Sequence, residues 1–208
     1  TADLYDGSYS GDLLLNVSGS VPRLKVNEEL RNVQVGKVTA ALMNEESILL
    51  GQGNVSFRGG SIGMSIDALI DGLTGELLLT LQDGAYLGTD VWHEVRKAWA
   101  LFANEDPPTA PANPQTKIQS LSSVTLWQHG MLLENDQLTV RIPFMTINGN
   151  GLIDLNKSTL DYNLSGQVTE VPVFEDGSDM DKLKGVVLSM GLQGAIEEPD
   201  IKLEDRKS

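Results

Sequence analysis

Two histidines, His93 and His129, are the side chains of this chain whose ordinary pKa lies nearest neutrality. General acid–base catalysis would place such a group beside a nucleophile or a second titratable group. Neither histidine sits in an HExxH, GxSxG or SxxK setting, and no phosphate-cradling glycine loop occurs. Cysteine is absent, which removes thiolate nucleophiles, disulfides and sulfur-ligated metals. Gly51-x-Gly53 and Gly149-x-Gly151 lack the third glycine and the following helix of a dinucleotide site, so both are predicted to be turns or bends. Asp176, Asp179 and Asp181 supply oxygens at roughly alternate positions, as a calcium loop would. Gly177 comes too early for that loop, and 175–184 reads as an acidic connector. Four N-x-S sequons, at Asn16, Asn54, Asn156 and Asn163, are what a strand face rich in Asn and Ser produces by chance. The expectation is a non-enzyme without cofactor or metal.

Composition narrows the partners. The 208 residues carry a net charge of −14, against phosphate-rich nucleic acid or docking through a basic face on anionic headgroups. Hydrophobic residues make up 40% and aromatic ones only 5%, so the apolar content is chiefly aliphatic. Trp92 and Trp99 share one helical face with Val95 and Phe102. That face packs on a sheet or meets lipid or a partner.

The positioning elements are mostly strands. In 75–103, Leu77, Leu79 and Leu81 alternate with Leu78, Thr80 and Gln82, and Asp83-Gly84 predicts a hairpin turn. A helix follows, with Thr89 or Asp90 as its cap. Helices are also predicted over 37–43 and 63–73, the latter capped by Ser65 with Met64, Ile66, Leu69, Ile70 and Leu73 on one face. A strand over 47–58 is interrupted at Gly51 and Gly53. The proline-rich loop 104–116 is the one candidate sub-boundary within a single domain spanning 1–208. Beyond it the alternation of Leu138, Val140, Ile142 and Phe144, then Ile153 and Leu155, then Leu160, Tyr162 and Leu164, predicts an antiparallel meander. Its turns fall at His129-Gly130, Asn135-Asp136, 148–151 and 156–158, with a further strand over 185–196, a turn at 197–200, and a frayed charged tail from Lys202. The fold class is therefore mainly β: a long twisted antiparallel meander, as an open groove or a sandwich, with two or three short helices in the N-terminal half. Little protein is left to cover the apolar face of 117–170.

The ordered set Leu4–Gly11, Leu73–Gly75 leading into Leu81–Gly88, Gly149–Asp154 with Thr159-Leu160-Asp161-Tyr162, and Leu192–Asp200 resembles the C-terminal conserved region of AsmA-type proteins. The likeness runs in order over most of 4–200, and its last part resembles the GTxxxP ending of that region. It implies a periplasmic segment of a protein anchored in the Gram-negative inner membrane by a helix outside this chain. It also implies a role in outer-membrane assembly and lipid homeostasis, and kinship with bridge-like lipid transfer proteins. The partner would be phospholipid or another acyl-chain lipid, with a periplasmic or outer-membrane protein as a further partner. On that reading Leu77, Leu79, Leu81, Leu138, Val140, Ile142, Ile153, Leu155, Leu160, Tyr162 and Leu164 face lipid, and Trp92 and Trp99 form a lip or plug. The alternative is a structural, partner-binding β-domain whose core is closed, serving as a scaffold in envelope biogenesis.

Overall fold

The computed structural model describes residues 2–43, 47–129, 132–174, 177–196 and 199–203. One antiparallel sheet of eleven strands dominates it, and every strand pairs with its neighbours in sequence. The strands are β1 (Ala2–Leu4), β2 (Gly7–Asn16), β3 (Arg23–Gln34), β4 (Leu49–Ile62), β5 (Thr74–Leu87), β6 (Gln115–Gln128), β7 (Leu132–Ile142), β8 (Met145–Asp154), β9 (Thr159–Val168), β10 (Val187–Ala195) and β11 (Pro199–Leu203). The sheet does not close: β1 and β11 are its two ends. At about 4.8 Å per strand it extends for about 48 Å across its strands. Three helices interrupt the meander, α1 (Val35–Met43), α2 (Ile66–Asp71) and α3 (Val91–Ala103), all before the proline-rich loop. β5 and β6 pair across that loop from Gly75↔Trp127 to Leu87↔Gln115, so the sheet runs through it without a break.

The helix caps are those expected. The Asp90 side chain accepts from the His93 N–H, and Ser65 accepts from Ala68. Asn104 ends α3 in the left-handed conformation. The α2 segment departs from expectation in its packing: it has no buried residue, and Ile66 and Ile70 are 75% and 60% exposed.

Several predicted turns are bulges or plain strand. Asp83-Gly84 does not reverse the chain, because Ala85 and Tyr86 stay paired with β4 on one side and with β6 on the other. Instead Asp83 and Gly84 together oppose Gly51, two residues against one. Asp83 takes a positive φ of 49° and Gly51 one of 137°. A Cβ on Gly51 would lie 2.9 Å from Leu81 Cγ, so both backbone and space require glycine there. Asn135-Asp136 is likewise inside β7, where Asp136-Gln137 oppose the single residue Asn150. A third bulge sets Arg31-Asn32 against Asn54. The stretch 148–151 lies within β8, held by β7 and β9. Leu155 follows the end of β8, in the turn to β9, rather than alternating on a strand. Lys202 belongs to β11, paired with Gly191, and not to a frayed tail. The expected turns at 129–130 and 197–200 include Gly130, Glu197 and Glu198, which lie outside the described residues.

Candidate functional site

Directly opposed residues of antiparallel strands share a face of the sheet. The register therefore assigns faces across the whole meander. One row runs Val33, Gly53, Leu81, Leu121, Val140, Ile147, Gly166, Leu188 from β3 to β10. The next row on the same face runs Tyr9, Leu30, Val55, Leu79, Ser123, Leu138, Gly149, Leu164, Met190 from β2 to β10. Further along the strands, Leu13, Val26, Gly59, Gly75, Trp127, Leu133, Ile153 and Leu160 form another. The opposite face reads Asn54, Thr80, Ser122, Thr139, Asn148, Ser165, Ser189 in its central row. The Asn54 side-chain amide donates to the Thr80 hydroxyl at 3.2 Å, and the Thr139 hydroxyl to Asn148 Oδ1 at 3.1 Å. The sheet is thus two-sided at its centre: mainly aliphatic on one face, hydroxyl and amide on the other, with the charged residues Arg58, Glu76, Glu134 and Asp161 further along that second face.

Of the residues expected to line an apolar surface, Leu77, Leu79, Leu81, Leu138, Val140, Ile142, Ile153, Leu160, Tyr162 and Leu164 lie on the aliphatic face. Leu155 does not take part, being in a turn. The ten divide by their cover. Leu81 and Ile142 are fully buried in a cluster with Val35, Ile118, Met145, Val168 and Leu183. Leu79 and Val140 pack against that cluster, as do Val91, Trp92, Val95 and Trp99 of α3. Helix α3, with Met180 and Leu183 beside it, therefore roofs one strip of the face. The Leu133, Ile153, Leu160 strip lies outside this cluster and is half-buried.

Trp92 is a fixed part of the roof. Its indole N–H donates to the Pro143 carbonyl at 2.8 Å, and its ring meets Phe144 and Phe174 edge-on. Trp99 packs beside Phe102, which is 85% exposed. A cavity of about 340 Å³ opens between α3 and residues 178–183, lined by Arg96, Trp99, Glu105, Asp106 and Lys182 among others. Its charged lining does not suit an acyl chain.

Two features of the aliphatic face went unread in the sequence. Phe57 and Trp127 meet in a T-shaped contact with ring centroids 6.1 Å apart, beside the side-chain-free Gly59 and Gly75. The second is a polar knot at the β7 bulge. Asn135, 4% exposed, donates from Nδ2 to the Ser123 and Thr125 hydroxyls at 2.7 and 2.8 Å and to the Val124 carbonyl at 3.0 Å. Tyr162, 9% exposed, donates its hydroxyl to Asn135 Oδ1 at 2.6 Å. Burial pushes the Tyr162 phenol up to about 12. Its ring passes close over Gly149 and Gly151, where a Cβ would come within 2.8 and 2.7 Å of it. Gly149 and Gly151, read in the sequence as part of a turn, are the space that seats this tyrosine.

The remaining candidates are not brought together. His93 caps into α3 through its backbone, while His129 follows the far end of β6. Asp179 forms an isolated bridge with Val173, and Asp176 lies outside the described residues. Among the described residues no three His or carboxylate side chains are placed to hold a metal ion. No model of a known protein family matches the chain, and neither does any curated protein or solved structure.

Proposed function

We propose that this chain is a non-enzymatic segment of an AsmA-like lipid conduit, periplasmic in setting, along which phospholipid or another acyl-chain lipid passes between inner and outer membranes. One observation carries the reading: rows of mainly aliphatic residues and glycines run across eight or more strands on one face, while the central row of the reverse face is hydroxyl and amide. The rows run perpendicular to the strands, and the one outside the roofed strip, from Leu13 and Val26 through Trp127 and Leu133 to Ile153 and Leu160, would let an acyl chain cross from strand to strand without meeting a charge. Each Å² of apolar surface it covers contributes about 25 cal/mol. No reactive group is needed for such a task.

The test uses photo-reactive residues placed on the two faces. A probe at Leu160 or Ile153, outside the roofed strip, is expected to crosslink phospholipid in cells. A probe at Thr139, on the polar face, is not. Equal labelling at 160 and 139, or protein adducts alone at 153 and 160, would overturn the conduit.

The scaffold reading is favoured by the closed cluster under α3. Ile153→Asp separates the two. On the conduit reading the variant folds and loses lipid crosslinking. On the scaffold reading an unpaired charge is forced into the core, and the domain unfolds.

A further inference from the structure

A fourth row of the aliphatic face lies between the row of Leu79 and the row of Trp127. It runs from Gly11 and Glu28 through Phe57 and Thr125 to Asn135 and Tyr162. Among the residues of the four rows, Glu28 alone carries a charge. It sits on β3, an inner strand paired on both sides. The other polar side chains of its row serve the interior: Thr125, Asn135 and Tyr162 are buried and bonded to one another. Glu28 is only half-buried, so its carboxylate still meets the surface of the face.

The carboxylate has a built seat. Tyr9, in the neighbouring row, donates its hydroxyl to Glu28 Oε2 at 2.5 Å. Gly11 stands directly opposite Glu28 and supplies the room. A Cβ on Gly11 would lie 1.8 Å from Oε2 and 2.8 Å from the Tyr9 hydroxyl. Any side chain at position 11 would therefore displace the carboxylate or break its bond to Tyr9. Three residues of two strands thus hold one anionic group in a set place on an otherwise uncharged surface.

We propose that Glu28 is the headgroup contact of the lipid face, selecting lipids whose headgroup carries a primary ammonium. This rests on the conduit reading and names the class of lipid it takes. An acyl lipid lying on the face would shield Glu28 from water. A carboxylate so shielded is costly unless a cation lies beside it. A headgroup ammonium is that cation. With Oε2 held by Tyr9, the ammonium donates to Oε1 in a charge-assisted hydrogen bond. The acyl chain then extends along the adjacent uncharged row, from Val26 toward Trp127 and Leu133. An anionic headgroup without an ammonium meets a like charge in the same place, on a chain whose net charge is already −14.

Short-chain phospholipids, dissolved as single molecules, test this by isothermal titration. Dihexanoyl phosphatidylethanolamine is expected to bind about tenfold more tightly than dihexanoyl phosphatidylglycerol. Glu28→Gln keeps the size of the side chain and an acceptor for Tyr9. It should fold like the unmodified chain by circular dichroism, bind phosphatidylglycerol at least as well, and lose the preference. Glu28→Lys should reverse the preference. Free phosphoethanolamine, which has the ammonium but no acyl chain, should give no measurable heat. Equal binding of the two lipids, or a preference that survives Glu28→Gln, would overturn the proposal and leave the conduit standing. Phosphoethanolamine bound as tightly as the lipid would also overturn it, in favour of a site for soluble amines. Binding of neither lipid would remove the conduit reading and this inference with it.

Discussion

Asn135 and Tyr162 set the strongest constraint that single residues place on the aliphatic face. The two Asn135 amide hydrogens are shared among three acceptors and its oxygen accepts from Tyr162, so the amide is bonded at both its nitrogen and its oxygen. Tyr162→Phe strips one donor and leaves Asn135 Oδ1 unpaired in the interior. A loss of about 1–3 kcal/mol is expected, measured by urea unfolding. The same residue shapes the alkaline limb of stability. Its folded-state pKa of about 12 lies above the ordinary 10, so between those values the unfolded chain releases a proton that the folded chain retains. Stability from this group is complete below pH 10 and falls as pH rises toward 12. Tyr9 adds to the same limb, since its hydrogen bond to Glu28 raises its phenol as well. The part of the slope that vanishes in Tyr162→Phe belongs to Tyr162; an unchanged slope would show that its phenol titrates freely.

At the scale of elements, turn-forming residues carried the ambiguity of the sequence. Asp83-Gly84 and Asn135-Asp136 are residue types that tolerate left-handed backbone, which a hairpin and a bulge both use. What decides between them is whether the chain beyond finds partners on both sides, and that information lies in β4, β6 and β8 rather than in the dipeptide. The strands themselves, the two helix caps and the faces of Leu77–Leu81 and Leu138–Ile142 were legible, because period-2 alternation and capping are local. The knot was not, because Asn135 and Tyr162 meet only through the register of three strands. Gly51→Ala tests the β4–β5 bulge. A side chain at φ 137° and 2.9 Å from Leu81 is expected to cost at least about 1–3 kcal/mol, seen as a lowered melting temperature. Trp92→Ala tests the roof. Loss of its ring contacts and of the hydrogen bond to Pro143 should remove about 2–4 kcal/mol and increase binding of an apolar dye.

For the whole molecule the telling feature is unequal cover. The cluster under α3 draws on α1, on β4 to β10 and on Met180 and Leu183, whereas among the described residues β1 and β2 contribute nothing to it. Local stability should follow that division. Amide hydrogen exchange is expected to be slowest around Leu81, Ile118, Ile142 and Val168, and faster by orders of magnitude in β1 and β11. Uniform protection from edge to edge would show that the sheet opens only as one unit. The charge of −14 spread over such a sheet makes like molecules repel, so any self-association should strengthen with added salt.

Strand order equal to sequence order has a consequence in time. Each strand needs only the one before it to find its partner, so a chain delivered from its N-terminus can assemble as it arrives. No strand waits for a distant segment, and loop-closure entropy stays small at every step. The exception is the roofed strip, where Val35 and Leu81 meet Leu183. That contact closes last, and it ties the central strands of a row of hairpins already formed into one cooperative core.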